Sequence, residues 1–414
     1  MRQRTVSLVL PVYIPTVLLS VGTGIMVPTL PLYADGFGVS LSLVSFAVAA
    51  LGLGTLIGDV PAGMLLERFG RKPVMVAGTV VLALSTLALV LFPYFPALVA
   101  LRLVAGVASA MWNISRMAYL TDVVPIADRG RALSMFGGVS RVGVFIGPAI
   151  GGVIGQAYGL EASFYIAAIA AGAAAVISLL FTTESHSQEV HEAGSGRHTR
   201  WAVVGNVVRS NYRELGTAGS AQIFAQMIRA GRQIIVPLFA SRVLGLDVAQ
   251  IGSIVSISSA VDMSLFIPAG ILMDKLGRKF ASVPSFLVMA VGMAMVPFAT
   301  SYTGLLVATC VMGFGNGIGS GTMMTLGADL APRKATGEFL GVWRLIGDIG
   351  SSGGPLAVGA LADAATGITG SVALGFTMSA LTLSGVGVLA ATTLLLFVRE
   401  TLHKDPSATV VRAT

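Results

Sequence analysis

The sequence predicts an all-α integral membrane protein with twelve transmembrane helices in two pseudo-symmetric six-helix bundles. Of its 414 residues, 55% are hydrophobic and only 11% are charged, and the mean hydropathy is +0.85. A soluble globular domain has about 25% charged residues. The chain also matches itself when it is shifted by half its length, so that residues 61–72 align with residues 268–279. Such a repeat in an apolar chain is typical of transporters whose substrate site lies between two repeats.

Twelve apolar segments are separated by charged or Pro- and Gly-rich breaks. Each approaches or exceeds the roughly 20 residues that a helix needs to cross the hydrocarbon core. The predicted spans lie near residues 8–31, 41–65, 73–92, 97–120, 132–156, 162–182, 216–240, 250–272, 281–299, 303–325, 338–361 and 371–397. This division predicts an N-terminal bundle over residues 1–182, a cytoplasmic linker over 183–215, a C-terminal bundle over 216–398 and a cytoplasmic tail over 399–414.

The distribution of basic residues predicts the orientation. Lys and Arg are concentrated in alternate connections and both tails, whereas the opposite connections hold only Arg242. Because short basic loops stay in the cytoplasm, we expect a multi-pass protein of the cell membrane with both termini cytoplasmic. Topology accounts for the net charge of +7, so we expect no nucleic-acid partner. The sequence has no catalytic constellation, phosphate loop or metal-binding cysteine pattern, and we predict neither an enzyme nor a bound cofactor or metal.

A motif rich in glycine and charge occurs twice, after span 2 and after span 8. The first copy comprises Gly63, Glu67, Arg68, Gly70, Arg71 and Lys72, and the second comprises Gly270, Asp274, Lys275, Gly277, Arg278 and Lys279. A short turn from acid to base brings the first copy within reach of Asp122 at the end of span 4. We interpret this set as a conformational latch. The alternative is that its charges only fix topology.

Two further patterns complete a family resemblance. Leu98-x3-Arg102-x3-Gly106 lies in span 4, and a glycine pattern lies in span 5. The span-5 pattern consists of Gly143, Gly147, Pro148, Gly151 and Gly152. With the duplicated motif, they make the whole chain resemble a major facilitator superfamily transporter, especially the twelve-span drug:proton antiporter group. The resemblance implies a proton-coupling role for Arg102 and an export role for the span-5 pattern, whose glycines allow close helix packing and whose proline bends the span. Packing alone is the alternative.

Ionisable residues inside spans are costly and are therefore functional candidates. With a rise of about 1.5 Å per residue, Asp59 and Arg344 both lie roughly 10 Å deep, and Arg141 and Asp262 both lie roughly 15 Å deep. The resemblance implies that helix 2 faces helix 11 and that helix 5 faces helix 8. We therefore predict two ion pairs between the bundles, Asp59–Arg344 and Arg141–Asp262, which close the cytoplasmic side in an outward-open state. Static pairing is the alternative.

The charged residues inside the spans are also candidates for carrying a proton or binding an anionic substrate. Asp262 and Asp348 are the leading candidates for a proton carrier, followed by Asp59. Arg229 and Arg232, three residues apart in span 7, could clamp an anionic group of a substrate; the alternative is pairing with Asp348 or with backbone carbonyls. Further candidates for lining the cavity are Tyr13, Thr16, Trp112, Asn113, Gln222, Gln226, Asn316 and Met323.

The combined prediction is a monomeric secondary transporter in the lipid bilayer. We expect it to exchange protons for small, largely apolar or drug-like molecules and to export them by alternating access. Span 1 contains no acid, unlike many drug:proton antiporters. An exporter or symporter of an organic anion is therefore the alternative within the same fold. A non-transporting receptor or lipid-handling scaffold is the alternative of another class.

Overall fold

The computed structural model describes residues 8–184, 205–332 and 335–402, which form twelve long helices. They are α1 (Val9–Asp35), α2 (Leu41–Phe69), α3 (Arg71–Leu91), α4 (Phe95–Val123), α5 (Ile126–Tyr158), α6 (Leu160–Phe181), α7 (Tyr212–Arg242), α8 (Val248–Leu276), α9 (Arg278–Phe298), α10 (Tyr302–Leu330), α11 (Thr336–Thr369) and α12 (Val372–Phe397). In the predicted linker, residues 205–210 are helical. Residues 185–204 of that linker and residues 403–414 of the predicted tail lie outside the described residues.

Ten of the twelve helices are long and apolar enough to cross a membrane; α7 and α11 are the other two. Both have sufficient length, at 31 and 34 residues. However, α7 carries Arg229 and Arg232, and α11 carries Arg344 and Asp348 beside a middle rich in Gly and Ser. Because such charges are costly in a bilayer, these two helices are candidates for a functional role.

The first six helices pack on one another, and so do the last six. Between these halves, α2 packs against α11 and α5 against α8, with a smaller contact between α1 and α7. This is the pairing that the resemblance implied, and the predicted fold of two six-helix bundles is confirmed. We call the face with the α2–α3 and α8–α9 connections the motif face, and the other face the opposite face.

Helix starts differ between the two faces. On the opposite face, the side chains of Ser40, Asp247, Ser301 and Ser371 cap α2, α8, α10 and α12 by accepting hydrogen bonds from backbone N–H groups. On the motif face, α3 and α9 begin after Gly70 and Gly277, whose φ angles are 87° and 115°. Glycine adopts this backbone conformation without steric cost.

Glycines bring the halves into contact near the opposite face. A Cβ added at Gly152 of α5 would lie 3.0 Å from the Cα of Gly252 in α8, and one at Gly359 of α11 would lie 2.6 Å from the carbonyl oxygen of Leu41 in α2. Near the motif face, a Cβ at Gly137 or Gly341 would meet nothing within 4 Å. The halves therefore approach most closely near the opposite face.

Candidate functional site

One buried carboxylate gathers partners from three helices. Asp262 of α8 is 8% exposed. Its Oδ1 lies 3.1 Å from Nη1 of Arg141 in α5, and its Oδ2 accepts a hydrogen bond of 2.7 Å from Nδ2 of Asn316 in α10. Nη2 of Arg232 in α7 lies 4.0 Å from Oδ2. We call these four residues and Ser320, which also bonds Arg141, the central cluster. It joins the two halves through a single acid.

Two helix breaks shape the central cluster. The first segment of α8 ends at Ser264, two residues after Asp262, and that of α10 ends at Ile318. Gly321 then takes a left-handed φ of 77° before the second segment of α10 begins. The break places Ser320 against Arg141. Broken helices free backbone groups at membrane depth, which is tolerated where they line a cavity or are buried in protein.

The two arginines of α7 have different surroundings. Arg229 donates to the carbonyl oxygen of Gly319 at 3.1 Å, and its guanidinium lies 5.1 Å from the ring centre of Phe286. Arg232 lies near Asp262 and also lines a cavity between the halves. Arg229 therefore bonds a backbone carbonyl, as one of the sequence alternatives proposed, whereas Arg232 faces the cavity.

A second charged group connects α2 and α11. Nη2 of Arg344 lies 3.5 Å from Oδ1 of Asp59, and its Nε lies 3.7 Å from Oδ2 of Asp348. The Arg344 side chain is 45% exposed. We call these three residues the α2–α11 cluster. The predicted pairing of Asp59 with Arg344 and of Arg141 with Asp262 is thus present as contact, while its role as a gate stays a prediction.

Two arginines of α4 are buried without a carboxylate partner among the described residues. Arg102 is 7% exposed and contacts the Met26 sulfur at 3.8 Å. Arg116 is 8% exposed, and its guanidinium lies 3.8 Å from the centre of the Phe136 ring and 5.8 Å from that of Trp112. Sequence reasoning missed Arg116, although its position within span 4 was the available signal.

The duplicated motif forms similar contacts in each half. Nε of Arg71 lies 2.9 Å from Asp122, and Nε of Arg278 lies 2.9 Å from Asp329. Within the second copy, Arg278 also lies 3.6 Å from Asp274. These ion pairs join helices of one half, so they hold each bundle together at the motif face. Their action as a latch between conformations remains a prediction.

Each motif has a further acidic partner that the sequence reasoning missed. Glu184, just after α6, accepts from the backbone N–H of Arg71 at 2.8 Å. Glu400, just after α12, accepts from the backbone N–H groups of Arg278 and Lys279, both at 2.9 Å. Negative groups at helix N-termini are stabilising. The two glutamates therefore tie the last helix of each half to its motif.

Two polar contacts join the halves at the opposite face. Nε of Arg242 at the end of α7 lies 2.9 Å from Oδ2 of Asp35 at the end of α1. Asp363 of α11 accepts from the backbone N–H groups of Leu41 and Ser42 at 2.9 and 2.8 Å. A side chain of one half thus caps a helix of the other, a contact that the sequence reasoning did not predict.

The glycines of the span-5 pattern lie at helix contacts. Gly143, Gly147 and Gly151 face the α1 backbone, and Gly152 faces α8. Of the cavity candidates, Asn316 belongs to the central cluster, and Thr16 donates to the carbonyl oxygen of Val12 at 2.7 Å. Tyr13, Trp112, Gln222 and Met323 are buried, while Asn113 and Gln226 are half-buried. Of the other predicted residues, Arg102 lines a cavity of the first half, Pro148 and Arg232 line a cavity between the halves, and Arg141 lines another between α5 and α8.

Comparison with known families gives the chain its class. The family model of the Major Facilitator Superfamily matches residues 12–227 and, a second time, residues 218–412. The chain belongs to this superfamily. The resemblance inferred from the duplicated motif is therefore confirmed, and the chain is a multi-span membrane transporter of small molecules rather than an enzyme.

Individual relatives agree with this assignment. The chain is 23% identical over 352 residues to an uncharacterised MFS-type transporter of Methanocaldococcus jannaschii, covering 85% of this chain and 90% of that protein. It is 28% identical over 264 residues to multidrug resistance protein 2 of Bacillus subtilis, covering 62% of this chain and 64% of that one. The inward-facing, unoccupied crystal structure of a bacterial homologue of the human lysosomal transporter Spinster has a TM-score of 0.78 at 15% identity, covering 96% and 98% of the two chains. At that identity the likeness concerns the fold.

Proposed function

We propose that this transporter exports small, largely apolar molecules across the cell membrane in exchange for protons, by alternating access between its two halves. The motif face is assigned to the cytoplasm because Lys and Arg are concentrated in its connections. The similarity to a protein named for multidrug resistance supports export of drug-like molecules. The observation that carries the proposal is the pair of charged clusters that cross the boundary between the halves.

Alternating access needs contacts that break on one face while others form on the opposite one. Asp59–Arg344 crosses between the halves nearer the motif face, and Arg141–Asp262 crosses near the middle of α5 and α8. Arg242–Asp35 and the Asp363 cap cross at the opposite face. These contacts supply polar partners at both faces. Breaking and forming them in turn is the proposed transport cycle.

The proposed proton site is the α2–α11 cluster rather than Asp262. In the central cluster, one carboxylate has two arginines and an amide as partners. In the α2–α11 cluster, two carboxylates share Arg344 as their ion-pair partner among the described residues. A proton on Asp59 or Asp348 leaves one acid for one arginine. This stoichiometry favours a proton that binds and leaves during transport.

Reconstitution in liposomes tests the proposal. When a pH gradient is imposed, purified protein should move a fluorescent drug-like substrate against its concentration gradient, in the direction opposite to proton flow. Asp348→Asn should lose uphill movement but keep exchange of labelled for unlabelled substrate, because exchange needs no net proton movement. Arg213→Gln, at the start of α7, is the control and should behave like the wild type.

Two results separate the alternatives. Uphill movement that is unchanged in both Asp348→Asn and Asp59→Asn excludes the α2–α11 cluster as the proton site. If a panel of ligands binds the wild type but none is moved under any pH gradient, the receptor or scaffold function is favoured over transport. Trapping the halves by crosslinks between the motif-face ends of α2 and α11 should also stop movement.

A further inference from the structure

Two cavities meet at the boundary between the halves. The first lies within α1, α2, α3, α4 and α6 and has a volume of about 130 Å³. The second lies among α1, α5, α7, α8 and α10. Val27 of α1 and Gln233 of α7 line both cavities. The shared residues make the two spaces neighbours, and we call them together the arginine cavity, because Arg102 lines the first and Arg232 the second.

The walls of the arginine cavity are apolar apart from a few groups. Leu, Val, Met, Ala and Pro side chains dominate the lining, and it contains no Asp or Glu among the described residues. The hydroxyl groups of Thr23, Thr86 and Ser109 donate to carbonyl oxygens of their own helices. The Arg102 guanidinium and the Gln233 amide therefore supply N–H donors toward the first cavity. An apolar ligand without an acceptor would leave them unsatisfied.

Arg102 has an uncompensated charge in this part of the chain. It is 7% exposed, its hydrogen-bond contact is the weak acceptor sulfur of Met26, and its Nε has no partner among the described residues. Burying a cation without an anion is costly. The central cluster does not supply an anion for Arg102. Its carboxylate, Asp262, pairs with Arg141, accepts a hydrogen bond from Asn316 and lies 4.0 Å from Arg232. The arginine cavity is therefore electropositive.

We propose that the arginine cavity binds the carboxylate of an amphiphilic organic anion, with Arg102 as its main partner and Arg232 as a second cation from the other half. This rests on the proposed function, because it assigns a substrate class to the transport cavity. A guanidinium donates charge-assisted hydrogen bonds to a carboxylate and can hold it with two of them. The apolar walls accommodate the hydrocarbon part of the same molecule.

The volume and the position of the cavity support this assignment. About 130 Å³ holds a ligand head group in place of several waters, since a water molecule occupies about 30 Å³ in the liquid. Arg102 of the first half and Gln233 of the second half both line the first cavity, and Arg232 lines the adjoining one. A carboxylate in the first cavity can therefore contact groups of both halves. The bound anion would thus add a contact across the boundary that moves during transport.

A matched series of ligands tests the inference. 4-Phenylbutyrate, 4-phenylbutanol and 4-phenylbutylamine share an apolar body and differ in charge at neutral pH. Binding to the purified full chain is measured by calorimetry and thermal shift. We expect the carboxylate to bind at least about tenfold more tightly than the alcohol, which corresponds to about 1.4 kcal/mol. The amine should bind most weakly.

Variants assign the preference to the cavity. Arg102→Gln should abolish the preference for the carboxylate, Arg102→Lys should retain part of it, and Arg232→Gln should reduce it. Arg213→Gln keeps the wild-type preference. Circular dichroism and size-exclusion chromatography establish that each variant is folded. Folded Arg102→Gln that still prefers the carboxylate overturns the inference, as does a wild type that binds the alcohol or amine equally well.

Two more arms separate the sources of the result. Sodium chloride at the ligand concentration should not reproduce the thermal shift; an equal shift assigns the cavity to inorganic anions and overturns the substrate class. In liposomes, gradient-driven movement of neutral or cationic compounds without any carboxylate preference overturns this inference and leaves the proposed export standing. A carboxylate preference in binding without any gradient-driven movement supports this inference and contradicts the proposed export.

Discussion

The two halves are alike where they hold their own helices together. In the first half, Arg71 pairs with Asp122, and in the second Arg278 pairs with Asp329, at the same distance of 2.9 Å. The opposite face also shows this symmetry. Asp35 and Arg242 are separated by 207 residues, so these two equivalent positions pair with each other across the pseudo-twofold axis.

The halves differ where charge is buried. Under the same offset of 207 residues, Arg102 of the first half aligns with Thr309, and Asp262 of the second half aligns with Thr55. The scaffold contacts have the same residues in both halves, whereas the buried charges at the centre differ between the halves. Under the proposed function, we interpret the repeated contacts as those that fold each bundle and the unrepeated charges as those that act in transport.

The largest expected effect comes from breaking the central cluster. Asp262→Asn leaves Arg141 and Arg232 without their shared acid, and removing one partner of a buried ion pair costs about 3–5 kcal/mol. Thr55 occupies the equivalent position in the other half. Thr55→Ala removes hydrogen bonds to the carbonyl oxygens of Leu51 and Gly106 and should lower the free energy of unfolding by about 1 kcal/mol.

Thermal unfolding and substrate exchange in liposomes measure this difference. Asp262→Asn should lower the melting temperature more and abolish exchange, whereas Thr55→Ala should retain it. Equal losses in the two variants would contradict the view that buried charge is the asymmetric, functional part of the molecule.

The next effect concerns the symmetric glycine contacts near the opposite face. Gly152→Val and Gly359→Val each place a side chain against the backbone of the other half. Overpacking of this kind costs about 1–3 kcal/mol, and both variants should favour separation of the halves at that face. Gly172→Val is the control, because a Cβ there meets nothing within 4 Å. The accessibility of cysteines introduced at that face measures the separation. A similar increase in accessibility in Gly172→Val would contradict the view that these glycine contacts hold the halves together.

Sequence reasoning reached the helices and the charge pairs because both follow from regular spacing. Hydropathy gives the length of a span, and helical rise gives the depth of a charge inside it. Depth matching therefore predicted the contacts of Arg141 with Asp262 and of Asp59 with Arg344, which measure 3.1 and 3.5 Å. The family resemblance supplied the information about which helices face each other.

The remaining contacts depend on features that spacing does not encode. Ser320 reaches Arg141 only because α10 breaks beside it, and a regular helix gives no warning of that break. Glu400 is far in sequence from the backbone groups that it caps. Asp363 bonds backbone N–H groups rather than a charged side chain, so no complementary residue type marks its partner. The sequence could not reveal these three contacts in advance.

A smaller effect is expected from the motif ion pairs. Arg71→Gln and Arg278→Gln each remove a 2.9 Å pair that is partly exposed, and solvent screening limits the cost to about 1 kcal/mol. Because the contacts are symmetric, the two variants should lower the melting temperature by similar amounts, and the double variant should lower it by about the sum. If only one of the two variants had a lower melting temperature, the duplicated ion pairs would not contribute equally to stability.

The smallest effect is a pH dependence at Glu400, outside the membrane-spanning helices. Burial raises the pKa of this carboxyl. Hydrogen bonds from the backbone N–H groups of Leu402, Lys279, Arg278 and Thr401 lower the pKa by more than burial raises it, so the pKa lies below the ordinary value of 4.5. A lowered pKa in the folded state stabilises the fold above the unfolded pKa, and this contribution is lost as the pH falls through the folded value.

The charged form of Glu400 is therefore what ties α12 to the second motif. Glu400→Gln should lower the melting temperature at pH 7 by a small amount, corresponding after solvent screening to less than about 1 kcal/mol. Both proteins are melted at pH values from 7 downward in the same detergent. The difference between them should shrink in acid, since the wild-type carboxyl then becomes neutral as well. A difference that grows as the pH falls would mean that the neutral carboxyl makes the stabilising contact.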